Sequence, residues 1–143
     1  MSADTQDSPS YLFPAGIPAF ERHTRFRLVR DPELDPLLFL VSGEDAGVRL
    51  ACIQARFLDA GYSYELEEAE AAVLGVEAGR YEAGDERMAC LAVVSVPEAG
   101  PATANLMAPV VISYASGRGL QAIQMGTGWS HAHRIVGEEA ECW

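Results

Sequence analysis

Lysine is missing from this sequence of 143 residues, so all ten basic side chains are arginines. The acidic side chains number 21, and the formal net charge is −11. A surface this acidic would be repelled by nucleic-acid phosphates, which argues against direct binding to RNA or DNA. It would be attracted to a basic protein. The same charge would also keep a protein soluble without any partner, so composition leaves recognition and solubility as two open interpretations.

Long apolar runs and cysteine motifs are missing as well. No stretch approaches the roughly 18 apolar residues that a transmembrane helix needs, and no basic segment followed by an apolar one marks a secretion signal. The three cysteines form no C-x-x-C pair. Cys52 and Cys90 lie in apolar segments and are predicted to be core residues, not disulfide halves or zinc ligands. These features predict a cytoplasmic protein that does not contact a membrane.

The motifs of common enzymes are not found either. Gly117-Arg118-Gly119 and Gly126-Thr127-Gly128 lack the spacing of a phosphate-binding loop, and both are predicted to be hairpin turns. No nucleophile elbow occurs. We therefore predict a protein that is not an enzyme and that needs no cofactor.

His131 and His133 are the strongest candidates for a metal site. On a strand, residues two apart face the same side, so both imidazoles could reach one ion. Only Cys142 or the acids of 138–141 could complete the ligand set, and these lie in a segment predicted to be a C-terminal tail. An exposed or hydrogen-bonded histidine pair is the favoured interpretation, and a small-barrel metal-dependent enzyme is the alternative.

Short apolar segments separated by turn residues dominate the chain, and this pattern is typical of an antiparallel barrel or sandwich. We predict a mainly β fold, a small antiparallel β-barrel-like single domain with one or two short helices. Residues 1–10 and 137–143 are predicted to be tails around a domain at 11–136. The predicted strands are Thr24 to Arg30, Leu37 to Ser42, Arg49 to Arg56, Arg87 to Val96, Ala104 to Met107, Pro109 to Tyr114, Leu120 to Met125 and His131 to Val136.

One segment has a helical period. Leu66 and Val73 fall on one face of residues 65–74, while Glu67 and Glu68 fall on the other. Gly75 is well placed as the C-terminal cap. The pattern predicts a single helix of two to three turns.

The run from Thr103 to Ser113, T-A-N-L-M-A-P-V-V-I-S, resembles the T-x-N-L-x-A-P-I-V-I-N motif of the FliW family of flagellar assembly factors. Upstream, F-P-A-G-I-P-A-F-E resembles the family's F-P-x-G-L-P-G-F-E, with Ala19 in place of a glycine. Ser113 and Gly117 also depart from the family pattern. The residues that match family motifs are Asn105, Leu106, Ala108, Pro109, Val111, Ile112, Gly119, Gln121 and His133.

The resemblance implies a small β-barrel that works by binding. FliW proteins bind CsrA, a basic RNA-binding dimer that represses flagellin mRNA, and they also bind newly made flagellin. Export of flagellin frees FliW, which then captures CsrA. The resemblance therefore implies partner switching. Separately, we predict that the chain is a monomer when free. A flagellin-only chaperone that has lost the switch is the alternative, given the departures from the motif.

Candidate contact residues follow from charge and position. For the CsrA-like partner we predict the carboxylates Glu44, Asp45, Glu65, Glu67 and Glu68. For flagellin we predict an exposed sheet edge or groove near Tyr62 and Tyr64. Within the motif, the Asn105 amide is predicted to bond backbone at a bend, and Pro109 is predicted to begin a strand.

Overall fold

The computed structural model describes residues 9–125 and 128–135. Ten strands run through these ranges: β1 (Ser10–Leu12), β2 (Arg25–Arg30), β3 (Leu37–Ser42), β4 (Arg49–Gln54), β5 (Ser63–Leu66), β6 (Gly79–Glu82), β7 (Met88–Ser95), β8 (Thr103–Ser113), β9 (Arg118–Gln121) and β10 (His133–Arg134). Two helices, α1 (Ala55–Leu58) and α2 (Glu68–Leu74), and a 3-10 turn at Pro32–Leu34 complete the elements.

Seven strands close into a barrel. Their order is β8-β7-β4-β3-β2-β1-β9, and β9 pairs with β8 to complete the ring. All neighbours are antiparallel except β1 and β9, which run parallel with Leu12 opposite Arg118. The backbone N–H of Leu12 also donates to the carbonyl of Gly117 at 2.9 Å. The predicted barrel-like domain with short helices is thereby confirmed.

Strand β7 separates two hydrophobic cores because its alternate side chains point to opposite faces of the sheet. Ala89 and Leu91 point into the barrel, where they join Phe13, which follows β1, and residues of β1–β4 such as Phe26. Met88, Cys90 and Ala92 point outward into a second core. Both faces of this strand are therefore covered, as its continuous apolar sequence predicts.

An outer layer formed by β5, β6 and α2 covers the second core. Strands β5 and β6 form a separate two-stranded antiparallel sheet, in which Tyr64 lies opposite Tyr81. Helix α2 packs beside β9, and the Ser116 hydroxyl donates to the Leu74 carbonyl at 2.8 Å. Gly75 ends the helix in the left-handed conformation, at φ 74°, as the sequence predicts.

Several predicted boundaries are wrong. Residue Glu65 lies in β5 and not in a helix, since the helix begins at Glu68. Strand β4 stops at Gln54, and α1 takes the place of its predicted last residues. Pro109 lies inside the 11-residue strand β8 and does not begin a strand. Ser10, which the prediction places in the N-terminal tail, begins β1 and pairs with Arg27.

Other predictions fall partly or wholly outside the described residues. These are the tail at 137–143, most of the tail at 1–10, the thiol of Cys142 and the turn at Gly126-Thr127. Within the described ranges, both helices are too short to span a bilayer.

Candidate functional site

Acidic charge is concentrated in the outer layer. Between Asp59 and Glu86 the chain carries nine carboxylates and one arginine, Arg80. Residues 22–56, which supply β2, β3 and β4, carry six arginines and five carboxylates and are therefore nearly neutral. The chain thus presents one strongly acidic layer against a mixed barrel wall. We call this layer, β5 with β6 and α2, the acidic layer.

Three of the predicted contact residues lie in the acidic layer, and all three are exposed. Glu65 is on β5, directly opposite Arg80 of β6. Glu67 immediately precedes α2, and its backbone N–H donates to the Glu70 carboxylate at 2.9 Å. Glu68 is the first residue of the helix. Carboxylates at this end of a helix are favoured by its dipole, and this applies to Glu67 and Glu68.

Glu44 and Asp45 belong to a different part of the molecule and serve a turn. In the loop between β3 and β4, the Glu44 carboxylate accepts hydrogen bonds from the Ser42 hydroxyl at 3.3 Å and the Thr24 hydroxyl at 3.3 Å. The Asp45 carboxylate accepts one from the backbone N–H of Gly47 at 2.9 Å. Partial desolvation opposes ionisation of Glu44, but these bonds and backbone donors outweigh it, and its pKa is lowered.

Tyr62 and Tyr64 are core residues, which corrects the prediction of an exposed edge or groove around them. Their side chains are 0% and 1% exposed. The Tyr62 hydroxyl donates to the Leu106 carbonyl, and its ring lies 4.7 Å from the Trp129 ring. Burial raises the pKa of both phenols. These side chains hold the outer layer to the barrel and cannot contact a partner while the fold is intact.

The Asn105 and Gln121 side chains support an irregularity in β8. The register of β8 against β7 shifts here: Leu91 pairs with Val110, but Val93 pairs with Asn105. Residues 106–109 therefore bulge from the ladder. The Asn105 amide oxygen accepts from the backbone N–H groups of residues 107 and 108, at 2.9 and 3.1 Å. The predicted bend bonded by Asn105 is therefore confirmed.

Gln121 supports the same bulge from the neighbouring strand. Its amide donates to the Ala108 carbonyl at 2.8 Å. Pro109 fits at this point because it has no N–H to satisfy, and its carbonyl accepts from Ala122 at 2.9 Å. The side chains of Leu106, Val111 and Ile112 are fully buried. These motif residues thus shape the fold.

The two histidines are not brought together as metal ligands. His133 lies on β10, opposite Ala104 of β8 and half-buried, whereas His131 lies in the preceding turn. Within 9–125 and 128–135, no group of three or more histidine, cysteine or acidic side chains is placed to hold a metal ion. Cys52 and Cys90 are buried free thiols, as predicted, and burial raises the pKa of each to about 12.

The segment that follows β9 was predicted only as the end of a strand, Leu120 to Met125, and not as part of a functional site. Gln124 is 3% exposed, and its amide bonds both backbone groups of Glu65: it accepts from the N–H at 2.7 Å and donates to the carbonyl at 3.0 Å. Its neighbours Ile123 and Met125 are 57% and 81% exposed. A lone glutamine in an apolar segment was the available signal, since a buried amide needs backbone partners.

Comparisons with known proteins agree on one family. A family model described as FliW protein matches residues 2–135. The flagellar assembly factor FliW of Azoarcus sp. (strain BH72) is 36% identical over 128 residues, covering 85% of this chain and 84% of the relative. That of Thermosipho africanus (strain TCF52B) is 34% identical over 113 residues, covering 78% and 74%.

The solved structures agree on the fold. A crystal structure of the flagellar assembly factor FliW superimposes with a TM-score of 0.77, covering 97% of this chain and 90% of that one, at 24% identity. The family model, the relative from Azoarcus and the crystal structure each match most of this chain. The chain belongs to the FliW family of flagellar assembly factors.

Proposed function

We propose that this chain regulates flagellin synthesis by binding. In its free form it captures a CsrA-like repressor and relieves repression of flagellin mRNA. In its other state it holds newly made flagellin. The single observation that carries the first half is the acidic layer, whose charge complements a basic RNA-binding dimer. The second half is supported by membership of the family and by what the family resemblance implies.

The electrostatics of the acidic layer favour capture of a basic partner. Among the described residues, Glu65, Glu67 and Glu68 form no ion pair with an arginine, so their charge is available to an incoming protein. Complementary potentials raise the association rate, and added salt screens this effect beyond about 8–10 Å. Each exposed pair formed at the rim is worth only about 0–1 kcal/mol. The layer therefore steers the partner, and the affinity needs an apolar contact as well.

Partner switching follows when the two partners exclude one another. A ligand that blocks a site at 100 times its own Kd weakens the competing ligand by about 100-fold. Flagellin that accumulates inside the cell would then hold the chain away from the repressor. Its export would restore the free form. No covalent step is needed, which agrees with a chain whose polar motif residues serve the fold.

The experiment is a titration of the purified chain with CsrA and, separately, with flagellin, at low and at high salt. We expect both to bind at low salt, and the CsrA association rate to fall steeply as salt is raised. Binding of flagellin alone would instead support a dedicated flagellin chaperone. If neither partner binds at low salt, the proposal is wrong.

Charge variants locate the surface. The probe is the double variant Glu65→Lys with Glu68→Lys, and the matched control is Glu33→Lys with Glu98→Lys. All four glutamates are exposed, and each pair changes the net charge equally, so a difference reports position and not total charge. Glu67 is left unchanged because it is the N-cap residue of α2 and forms a capping box with Glu70. We expect the probe to slow CsrA association and the control to leave it nearly unchanged.

A further inference from the structure

We propose that Ile123 and Met125 are the apolar anchor for the basic partner, inside the rim formed by the acidic layer. This inference rests on the proposed function and assigns the contact that supplies affinity. The occupant is a basic protein that presents an apolar side chain surrounded by lysine or arginine. The acidic layer argues for this occupant, because the exposed apolar pair is attached directly to it through Gln124.

Exposure is the first observation. Ile123 is 57% exposed and Met125 is 81% exposed, so neither side chain contributes much to the core. Single exposed apolar residues are common on protein surfaces and need no explanation. Here two occur two residues apart, and the residue before them, Ala122, and the residue between them, Gln124, are both buried. Both exposed side chains therefore point to the same side.

Rigidity is the second observation. The backbone N–H groups of Ala122 and Gln124 donate to the carbonyls of Pro109 and Met107, at 2.9 and 2.6 Å. The Gln124 side chain is then bonded twice to the backbone of Glu65. A segment held from both sides loses little conformational entropy when a partner binds, so its apolar contacts contribute more of their energy to affinity.

Charge around the pair is the third observation. Gln124 fixes the segment to β5 at Glu65, whose own side chain is exposed. A few apolar residues inside a polar rim carry most of the binding energy at protein interfaces, and the rim keeps water out. Methionine also adapts its unbranched side chain to the shape of a partner. Ile123 and Met125 therefore fit the role of the central apolar contact, and the acidic layer fits the role of the rim that steers the partner.

The test separates the anchor from the rim by kinetics. The probe is Ile123→Ser with Met125→Ser, and the matched control is Phe57→Ser with Val96→Ser, which are 54% and 73% exposed. We expect the probe to weaken CsrA binding by at least about tenfold through faster dissociation, as removal of a central contact does. Its dependence on salt stays as in the unmodified chain, because no charge is changed. The control keeps the unmodified affinity.

The outcomes are distinguishable from failure of the proposed function. If the unmodified chain does not bind CsrA, the proposed function falls and this inference falls with it. If the unmodified chain binds and the probe binds equally well, or the control weakens binding as much, the inference alone is overturned. A second measurement needs no variant: the Met125 methyl resonance should shift when CsrA is added, while that of buried Met88 should not. An unshifted Met125 resonance in the complex overturns the anchor.

Discussion

The ring of Phe13 lies against the backbone of Gly119, so closely that a Cβ added to Gly119 would meet the ring Cζ at 2.5 Å. Phe13 is fully buried, and it packs edge-on against Phe26 with ring centroids 5.3 Å apart. The ring therefore has no free direction in which to move. Gly119 is required here by close packing inside the barrel.

We expect Gly119→Ala to destabilise the fold by about 1–3 kcal/mol, the usual cost of overpacking a well-filled core. Thermal or urea unfolding measures the change. The control is Gly84→Ala, where a Cβ would meet nothing within 4 Å. A double-mutant cycle with Phe13→Leu should show strong coupling, because the smaller side chain relieves the clash. Additive effects in that cycle would contradict the assignment.

The bulge in β8 gives a second prediction. Asn105→Ala removes the acceptor for two backbone N–H groups, those of Met107 and Ala108. Leaving partly buried donors unsatisfied costs about 1–3 kcal/mol, so we expect a loss of that order in the free energy of unfolding. Asn105→Asp keeps an acceptor oxygen at the same place and should retain most of the stability. Equal losses in the two variants would show that the acceptor is not what matters.

How far the sequence predicted the fold can be judged at particular residues. Alternation in β7 predicted two covered faces, since a strand's side chains obey a period of two whatever the context. Asn105 predicted a bend, because a buried amide must find backbone partners. The prediction that Pro109 begins a strand is wrong, because a proline without an N–H is tolerated in a bulge as well as at the start of a strand. The bulge arises from the pairing of β8 with β7, which the local sequence does not reveal.

The candidate site was harder to predict for the same reason. Glu65 fits a helical period, but it belongs to a strand because β6 pairs with it. This is tertiary pairing overriding a local pattern. The sequence does not show that Tyr62 and Tyr64 are buried, because the rings that pack on them, Trp129 on Tyr62 and Tyr81 on Tyr64, come from distant segments. Ile123 and Met125 look like core residues until burial is known. Period and composition identify apolar residues but cannot say which of them a distant segment covers.

Ala19 gives a third prediction. It adopts φ 77°, in the left-handed region that costs a non-glycine residue about 1–2 kcal/mol. Glycine would remove that strain but would lose about 0.5–1 kcal/mol through its greater freedom in the unfolded chain. We therefore expect Ala19→Gly, which also restores the FliW family's glycine, to raise the free energy of unfolding by about 0.5–1 kcal/mol.

The matched control for this change is Ala78→Gly, an exposed loop alanine without a positive φ. It should leave stability unchanged or lower it slightly, since it adds unfolded-state freedom and relieves no strain. Thermal unfolding of both variants decides the matter. A lower melting temperature for Ala19→Gly would mean that the strain at this turn is smaller than its φ implies.

The pair formed by Asp85 and Arg87 gives the last prediction, which concerns pH. The Arg87 guanidinium donates to the Asp85 carboxylate at 3.0 and 2.6 Å, and this bonding lowers the pKa of Asp85 to about 2. A folded-state pKa below the unfolded value of about 3.9 means that folding favours the ionised form. The stabilisation is therefore full above about pH 4 and is lost as the pH falls from about 4 to 2.

Arg87→Gln should raise the pKa of Asp85 toward its ordinary value, and carboxyl NMR titration measures this directly. The stability difference between the variant and the unmodified chain should be present near neutral pH and should shrink below about pH 4, because protonated Asp85 gains little from Arg87 in either case. Arg80→Gln serves as the control, since Arg80 lies 3.9 Å from Glu82 instead. An Asp85 titration that is the same with and without Arg87 would show that the backbone N–H of residue 87, which also donates to Asp85, holds the low pKa by itself.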